Sequence, residues 1–262
     1  MSDTPQPANK VPSWVGKYFQ DSYDSLDRLM SVVHLSRRSI AGMRAMPRLK
    51  KALAAVQGKV QDEIEAQRVE KDAKLAQSEV ENGFPVLHTL AVVALWSWLE
   101  HTIKGLLVEH ISRNRKALKS GAFPKLKIKL GDYVALTKRE QASYIVDLLE
   151  QETSSSLKQG INRFEVLLES LDLTGSTPDS TARQLYELQQ VRNSIVHQNG
   201  RCDRRLRTSC PWLKLKLGSQ ITVGTAQLEL YAAAVSDYAL EVLYRIGDGH
   251  GVDLRSSTPD GT

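Results

Sequence analysis

The chain predicts an all-α fold, and three observations carry that prediction. Apolar residues recur every three or four positions through most of its length, the period of one helix face. The punctuation between these stretches is helical: Pro47 stands just inside a start, and Asn82-Gly83 and Asn199-Gly200 stand just past an end. Only two short stretches alternate as strands do, around Lys125 to Leu130 and Leu213 to Leu217.

Composition narrows the class. At 262 residues the chain holds one large domain, or one domain with a helical extension. Hydrophobic residues at 41% and charged residues at 25% match an ordinary soluble globular protein, which sets aside disordered and fibrous classes. The net charge of +5 and pI near 9.1 tilt the chain toward polyanionic partners. Cys202 and Cys210 are its two cysteines, with no Cys-x-x-Cys, so neither a disulfide framework nor a zinc site is expected. Residues 1–12 are polar and contain proline, without the apolar core of a signal peptide. The most apolar segment, Phe84 to Leu99, is interrupted by His88 and closed by Glu100-His101, and it reads as too short and broken to span a bilayer. A cytoplasmic protein with no membrane contact is the expectation.

The elements follow in order. Residues 1–12 read as a disordered leader. Residues 13–83 read as a helical hairpin, a helix from Ser13 to about Met46 and a second from Pro47 to about Asn82. Leu49, Leu53, Val56, Val60 and Ile64 lie along the second helix like a coiled-coil seam. From Val86 to about Leu118 the chain is apolar on more than one side, which marks a central helix. Lys125, Lys127 and Lys129 alternate with Leu126, Ile128 and Leu130 in a short extended segment with one basic face. Thr137 and Glu140 have capping-box spacing and open a helix to about Thr153, which Ser154-Ser155-Ser156 ends as a loop. A short amphipathic helix covers Ile161 to Leu171, and a turn-rich stretch leads to a helix from about Thr181 to Gln198 with Leu185, Leu188, Val191 and Ile195 as its buried stripe. Leu213 to Leu217, a Gly218-Ser219 turn and Ile221 to Val223 read as a small β-hairpin. A last helix runs from about Thr225 to Ile246, and residues 248–262 read as a disordered tail.

The chemistry gathers at Leu188-Gln189-Gln190-Val191-Arg192-Asn193-Ser194-Ile195-Val196-His197-Gln198-Asn199-Gly200. Arg192 can hold a phosphate with a planar, permanently charged fork, and His197 can move a proton near neutral pH. Arg245 and His250 share the spacing, and Arg28 and His34 are one residue wider, but neither pair has the surrounding pattern of buried stripe, Arg-Asn, apolar pair, His and Asn-Gly. Arg192 lies about 40° from Leu188 on the helical wheel, so a structural role, pairing with a buried carboxylate such as Glu100, is the alternative. His197 would then be a solvent-facing residue at a helix end.

This segment resembles the signature of the HEPN superfamily: Arg, usually followed by a polar residue, then His four to six residues on. Arg192, Asn193 and His197 match it. The late position in a helical bundle, the Gly200-Arg201-Cys202-Asp203 loop, the small hairpin and the final helix resemble HEPN proteins of prokaryotic defence and toxin–antitoxin systems. The resemblance covers roughly residues 84–247, which would form a HEPN-like domain after the N-terminal hairpin.

The resemblance implies metal-independent endoribonuclease chemistry. A ribose 2′-hydroxyl would attack the adjacent phosphorus, leaving a 2′,3′-cyclic phosphate and a 5′-hydroxyl. His197 would be the general acid or base, Arg192 would offset charge on the pentacoordinate transition state, and Asn193 would orient one of the two groups. Five residues of ideal helix turn through about 500°, so the two side chains start about 140° apart. They converge through the length of Arg192, a distorted helix end, or a second subunit, and the family habit implies a homodimer with a composite site. Glu100 and Lys104, at i and i+4 on the central helix, are second-rank site residues, a helix ion pair being the plainer reading. Arg201, Arg204, Arg205 and Arg207 could track an RNA backbone or form a solvated loop. Trp96, Trp98 and Tyr186 read as core rather than as base-stacking platforms. His88, His101 and His110 lack metal-ligand spacing, so no metal and no cofactor is expected. RNA is the implied substrate, and an antitoxin or other defence-system protein a further partner. Family members silenced by nucleotidyl transfer carry a Tyr two residues after the His. Asn199 stands there, which counts against that route. The competing class is a non-catalytic HEPN-like module that binds RNA or protein.

Overall fold

A computed structural model describes residues 10–58, 60, 62–119, 123–154 and 159–256. Most of the expected leader, the end of the expected tail and Ser155-Ser156 of the expected loop lie outside the described residues. Among the described residues ten α-helices follow one another: α1 Ser13–Met43, α2 Met46–Gln57, α3 Glu63–Glu81, α4 Pro85–Arg113, α5 Leu130–Val134, α6 Lys138–Ser154, α7 Asn162–Glu169, α8 Asp179–His197, α9 Arg204–Ser209 and α10 Thr225–Gly249. No strand occurs among the described residues, only an isolated antiparallel bridge between Arg201 and Gln220. The fold is all-α.

Two compact units divide the chain. The first draws its described residues from Met1–Ser25, Trp96–Gln189 and Ala233–Thr262, and the second from Leu26–Leu95 and Gln190–Ala232. In the first, Leu99, Ile103 and Leu107 of α4, Leu149 of α6, Leu167 of α7 and Val235 and Val242 of α10 are completely buried. Aromatic rings fill the spaces between them. Trp96 lies 5.5 Å from Phe164, and Phe164 lies 6.2 Å from Tyr238, centroid to centroid. Trp96 and Trp98 are core residues, as their positions predict. Two aromatic polar tips find backbone acceptors: Trp98 Nε1 donates to the Ser22 carbonyl at 2.9 Å and Tyr18 Oη to the Thr102 carbonyl at 2.7 Å.

The second unit buries Leu26 and Val33 of α1, Ala73 and Ala76 of α3, Ala91, Val92 and Leu95 of α4, Cys202, Leu206 and Cys210 around α9, and Leu228 and Tyr231 of α10. His88 is fully buried there, and its Nδ1 donates to the Val223 carbonyl at 2.7 Å. That bond puts the proton on Nδ1 and leaves Nε2 buried without a partner among the described residues.

Three local expectations change. The helix expected over 47–82 is two helices. Gly58 takes a left-handed φ of 62° and closes α2, and the Asp62 side chain accepts from Ile64 N at 3.0 Å to start α3. The seam from Leu49 to Ile64 is thereby split, and every one of its five residues is at least half exposed. The β-hairpin expected over 213–223 is also absent. Pro211–Leu213 form a 3-10 turn and Lys214 takes φ 52°, which bends the alternating segment away from its partner. Residues 218–221 bond instead to 200–202: Cys202 N to Ser219 O at 2.9 Å, Gly218 N to Cys202 O at 2.8 Å and Ile221 N to Gly200 O at 2.8 Å. Finally, α4 is long and apolar enough to cross a membrane, contrary to the reading of its sequence, although half of its most apolar window is buried inside the protein. The capping box at Thr137 and Glu140 forms as its spacing predicts, with Thr137 N donating to Glu140 at 2.8 Å. That bond and the Thr137 hydroxyl hold the Glu140 carboxyl below its usual range.

Candidate functional site

α8 places the signature. Leu185, Leu188 and Val191 are buried, as the stripe predicts, and Ile195 is half-buried. Glu187, Gln189, Gln190 and Ser194 are buried too, so α8 is enclosed well beyond one face. The helix is regular through His197 and ends on two left-handed residues, Asn199 at φ 52° and Gly200 at φ 71°. Gly200 N donates back to Ser194 O at 3.2 Å, six residues upstream, across the left-handed pair that ends the helix. A side chain at Gly200 would meet only the movable end of Gln220, so it is the left-handed φ that favours glycine there.

Arg192 and Asn193 are half-buried, and His197 is exposed. Arg192 Nη1 donates to Asn193 Oδ1 at 3.3 Å, while Arg192 Nε is buried with no partner among the described residues. A buried guanidinium nitrogen without an acceptor is uncommon, and an acceptor from a ligand would complete it. The left-handed residues begin only after His197, so the helix end does not bend Arg192 and His197 together. The angular separation of about 140° on an ideal helix therefore stands.

The basic stretch after the signature is ordered rather than a loop. Asp203 accepts from Leu206 N at 2.7 Å and caps α9. Cys202, Leu206 and Cys210 anchor this short helix inward and leave Arg204, Arg205 and Arg207 exposed. Arg201 is exposed also and donates to the Gly218 carbonyl at 3.1 Å. Its N-cap signal, an Asp three residues before the buried Leu206, was available in the sequence. Burial raises the Cys202 thiol above its usual range, with the neighbouring Asp203 adding to it, which does not favour a reactive thiolate.

Glu100 and Lys104 belong to the first unit and lie in an ion-pair network there. Arg163 Nη1 donates to Glu100 at 2.7 Å, and both Arg163 and Lys104 bind Glu150. The carboxylate considered as a structural partner for Arg192 is thus held by Arg163. Burial alone would raise the Glu150 carboxyl, but hydrogen bonds from Lys104 and Arg163 outweigh it and hold the group below its usual value. Sequence reading missed Arg163 and Glu150 because no fixed spacing joins them to α4. It also missed Arg245. That side chain is 6% exposed and grips Glu165 at 2.9 Å and Thr177 Oγ1 at 3.1 Å.

No family model, no curated protein and no solved structure matches this chain.

Proposed function

We propose that the protein is a HEPN-like, metal-independent endoribonuclease of a defence or toxin–antitoxin system, acting in the cytoplasm on RNA. The observation that carries this reading is the unsatisfied Nε of Arg192 beside Asn193, on the same helix as the exposed imidazole of His197. A phosphate oxygen supplies the acceptor that Nε lacks. Asn193 holds one arm of the guanidinium and so sets the plane of the fork.

His197 is reachable from solvent and moves the proton of the attacking 2′-hydroxyl or of the leaving 5′-oxygen. Because α8 keeps Arg192 and His197 on different faces, the reading includes a homodimer, in which each phosphate meets residues of both copies. The exposed guanidinium groups of Arg201, Arg204, Arg205 and Arg207 would follow the RNA backbone away from the scissile bond. Glu100 and Lys104 take structural roles in this reading.

The test is incubation of wild-type protein and His197→Ala with end-labelled RNA in EDTA, with product ends mapped. Cleavage by wild type alone, leaving 2′,3′-cyclic phosphates, supports the reading. Arg192→Lys should also be impaired, since an ammonium lacks the bidentate fork. RNA binding without cleavage, unchanged in His197→Ala, would favour a non-catalytic binding module instead. The angular separation of Arg192 and His197 on α8 is the observation in its favour.

A further inference from the structure

The residues that look most like a helix–helix seam are left bare. No residue of α2 is buried. Leu49, Leu53 and Val56 follow one another at i, i+4 and i+7, and Val56 is 86% exposed. The partly covered positions of α2 are others, Met46, Pro47, Lys50 and Ala54, and Lys50 pairs with Glu65 of α3. A row of exposed apolar side chains on one helix marks an interaction surface rather than ordinary scatter.

The same unit carries an apolar groove of about 400 Å³. Ile40 of α1, Leu75 of α3, and Val86 and Leu90 of α4 are among its walls, and its charged lining residues are Asp72 and Glu79. Leu75, Val86 and Leu90 are each more than 60% exposed. The helix and the groove have opposite charge. α2 carries Arg48, Lys50 and Lys51 and no acid, whereas the groove offers two carboxylates and no base.

We propose that the groove receives α2 of a second copy of this chain, so that two chains exchange these helices around a two-fold axis. Each copy lays Leu49, Leu53 and Val56 into the other's groove, in the spacing by which amphipathic helices anchor. Arg48, which flanks that row on α2, then lies beside Asp72 and Glu79. Helix and groove occur once per chain on the same unit, so an isologous pair uses every copy of both and leaves no open end. Val86 and Leu90 also line the cleft that includes Ile195, Asn199 and Gly200. A second copy seated in the groove would therefore border the end of α8.

Analytical ultracentrifugation of the full chain tests this. Wild type should be a dimer, and Leu53→Glu and Leu75→Glu should each be monomers with unchanged circular dichroism. Arg48→Glu and Asp72→Lys should each weaken association, and mixing the two variants should restore it. These are surface changes, so they keep the test decisive if a Leu→Glu variant fails to fold. A chain with Val56→Cys mixed with a chain with Leu75→Cys should form a disulfide-linked pair on mild oxidation. A wild-type monomer at every concentration, a dimer indifferent to the charge reversals, or Val56→Cys chains that link only to themselves would overturn the proposal. The readout is association, so a dimer of this kind that cuts no RNA would retain this inference while removing the nuclease reading.

Discussion

The two units of this protein spend their apolar residues differently. The first buries Trp96, Phe164, Tyr238 and leucines of α4, α6 and α7. The second buries Tyr231, Leu95 and Leu228 among alanines, valines and two cysteines, but leaves Leu49, Leu53, Val56, Val60, Ile64, Leu75, Val86 and Leu90 exposed. Burial of apolar area is the main favourable term in folding, and those eight side chains forgo most of it. The second unit holds the signature of α8, the arginines of α9 and the bare helix α2. The comparison teaches that stability and proposed activity are concentrated in different sets of residues, although α1, α4, α8 and α10 each supply both sets.

The sharpest way to break that comparison is to remove an internal support of the first unit. Arg245→Ala leaves the part-buried Glu165 carboxylate without its cation beside the buried Tyr238. It should cost about 3–5 kcal/mol, the usual loss when one member of a buried pair is removed. Trp96→Ala should cost about 3–5 kcal/mol by cavity formation. Chemical denaturation reads both, and a loss below about 1 kcal/mol for either would contradict the account of this core.

A smaller effect is expected in the second unit. Asp203→Ala removes the N-cap of α9 and should cost about 1 kcal/mol. It should also weaken binding of a labelled RNA, because Arg204, Arg205 and Arg207 lose their common platform. Unchanged RNA affinity alongside the stability loss would separate α9 from any nucleic-acid role.

The smallest expected effect is on pH dependence. Burial lowers the affinity of His88 for a proton, and the charge of Arg37 adds to this, while Glu79, Glu229 and the bond to Val223 oppose it. The folded chain therefore binds that proton less readily than the unfolded chain, whose histidine titrates near 6.5. This stability is present above pH 6.5 and is lost as pH falls from there through the lower folded value. His110 in the first unit acts in the same direction, through burial and then the charge of His250. Melting temperatures recorded between pH 7.5 and 5 should fall, and His88→Asn should flatten that slope without abolishing it. A slope unchanged in His88→Asn would remove this residue from the acid response.

Much of the fold was legible because helices are local. The starts and stops at Pro47, Asn82-Gly83, Thr137 and Asn199-Gly200 depend on backbone angles and neighbouring donors that short segments carry with them. The stripe at Leu185, Leu188 and Val191 was equally readable. Long-range pairing was not. The Leu213–Leu217 alternation looks like half of a hairpin, yet residues 218–221 bond to 200–202, and nothing local distinguishes the two partners. The candidate site divides in the same way. The residue types and spacing of Arg192, Asn193 and His197 were visible, but the unpartnered Nε of Arg192 and the capture of Glu100 by Arg163 were not.

The sequence by itself determined the all-α class, most helix boundaries, the end of α8 and the identity of the candidate signature, because periodicity and capping act over a few residues. Only the tertiary structure decided which apolar stripes are covered. It buried the stripe of α8 and left that of α2 in solvent, although both have the spacing of a buried face, because coverage depends on what packs opposite and periodicity says nothing of the partner.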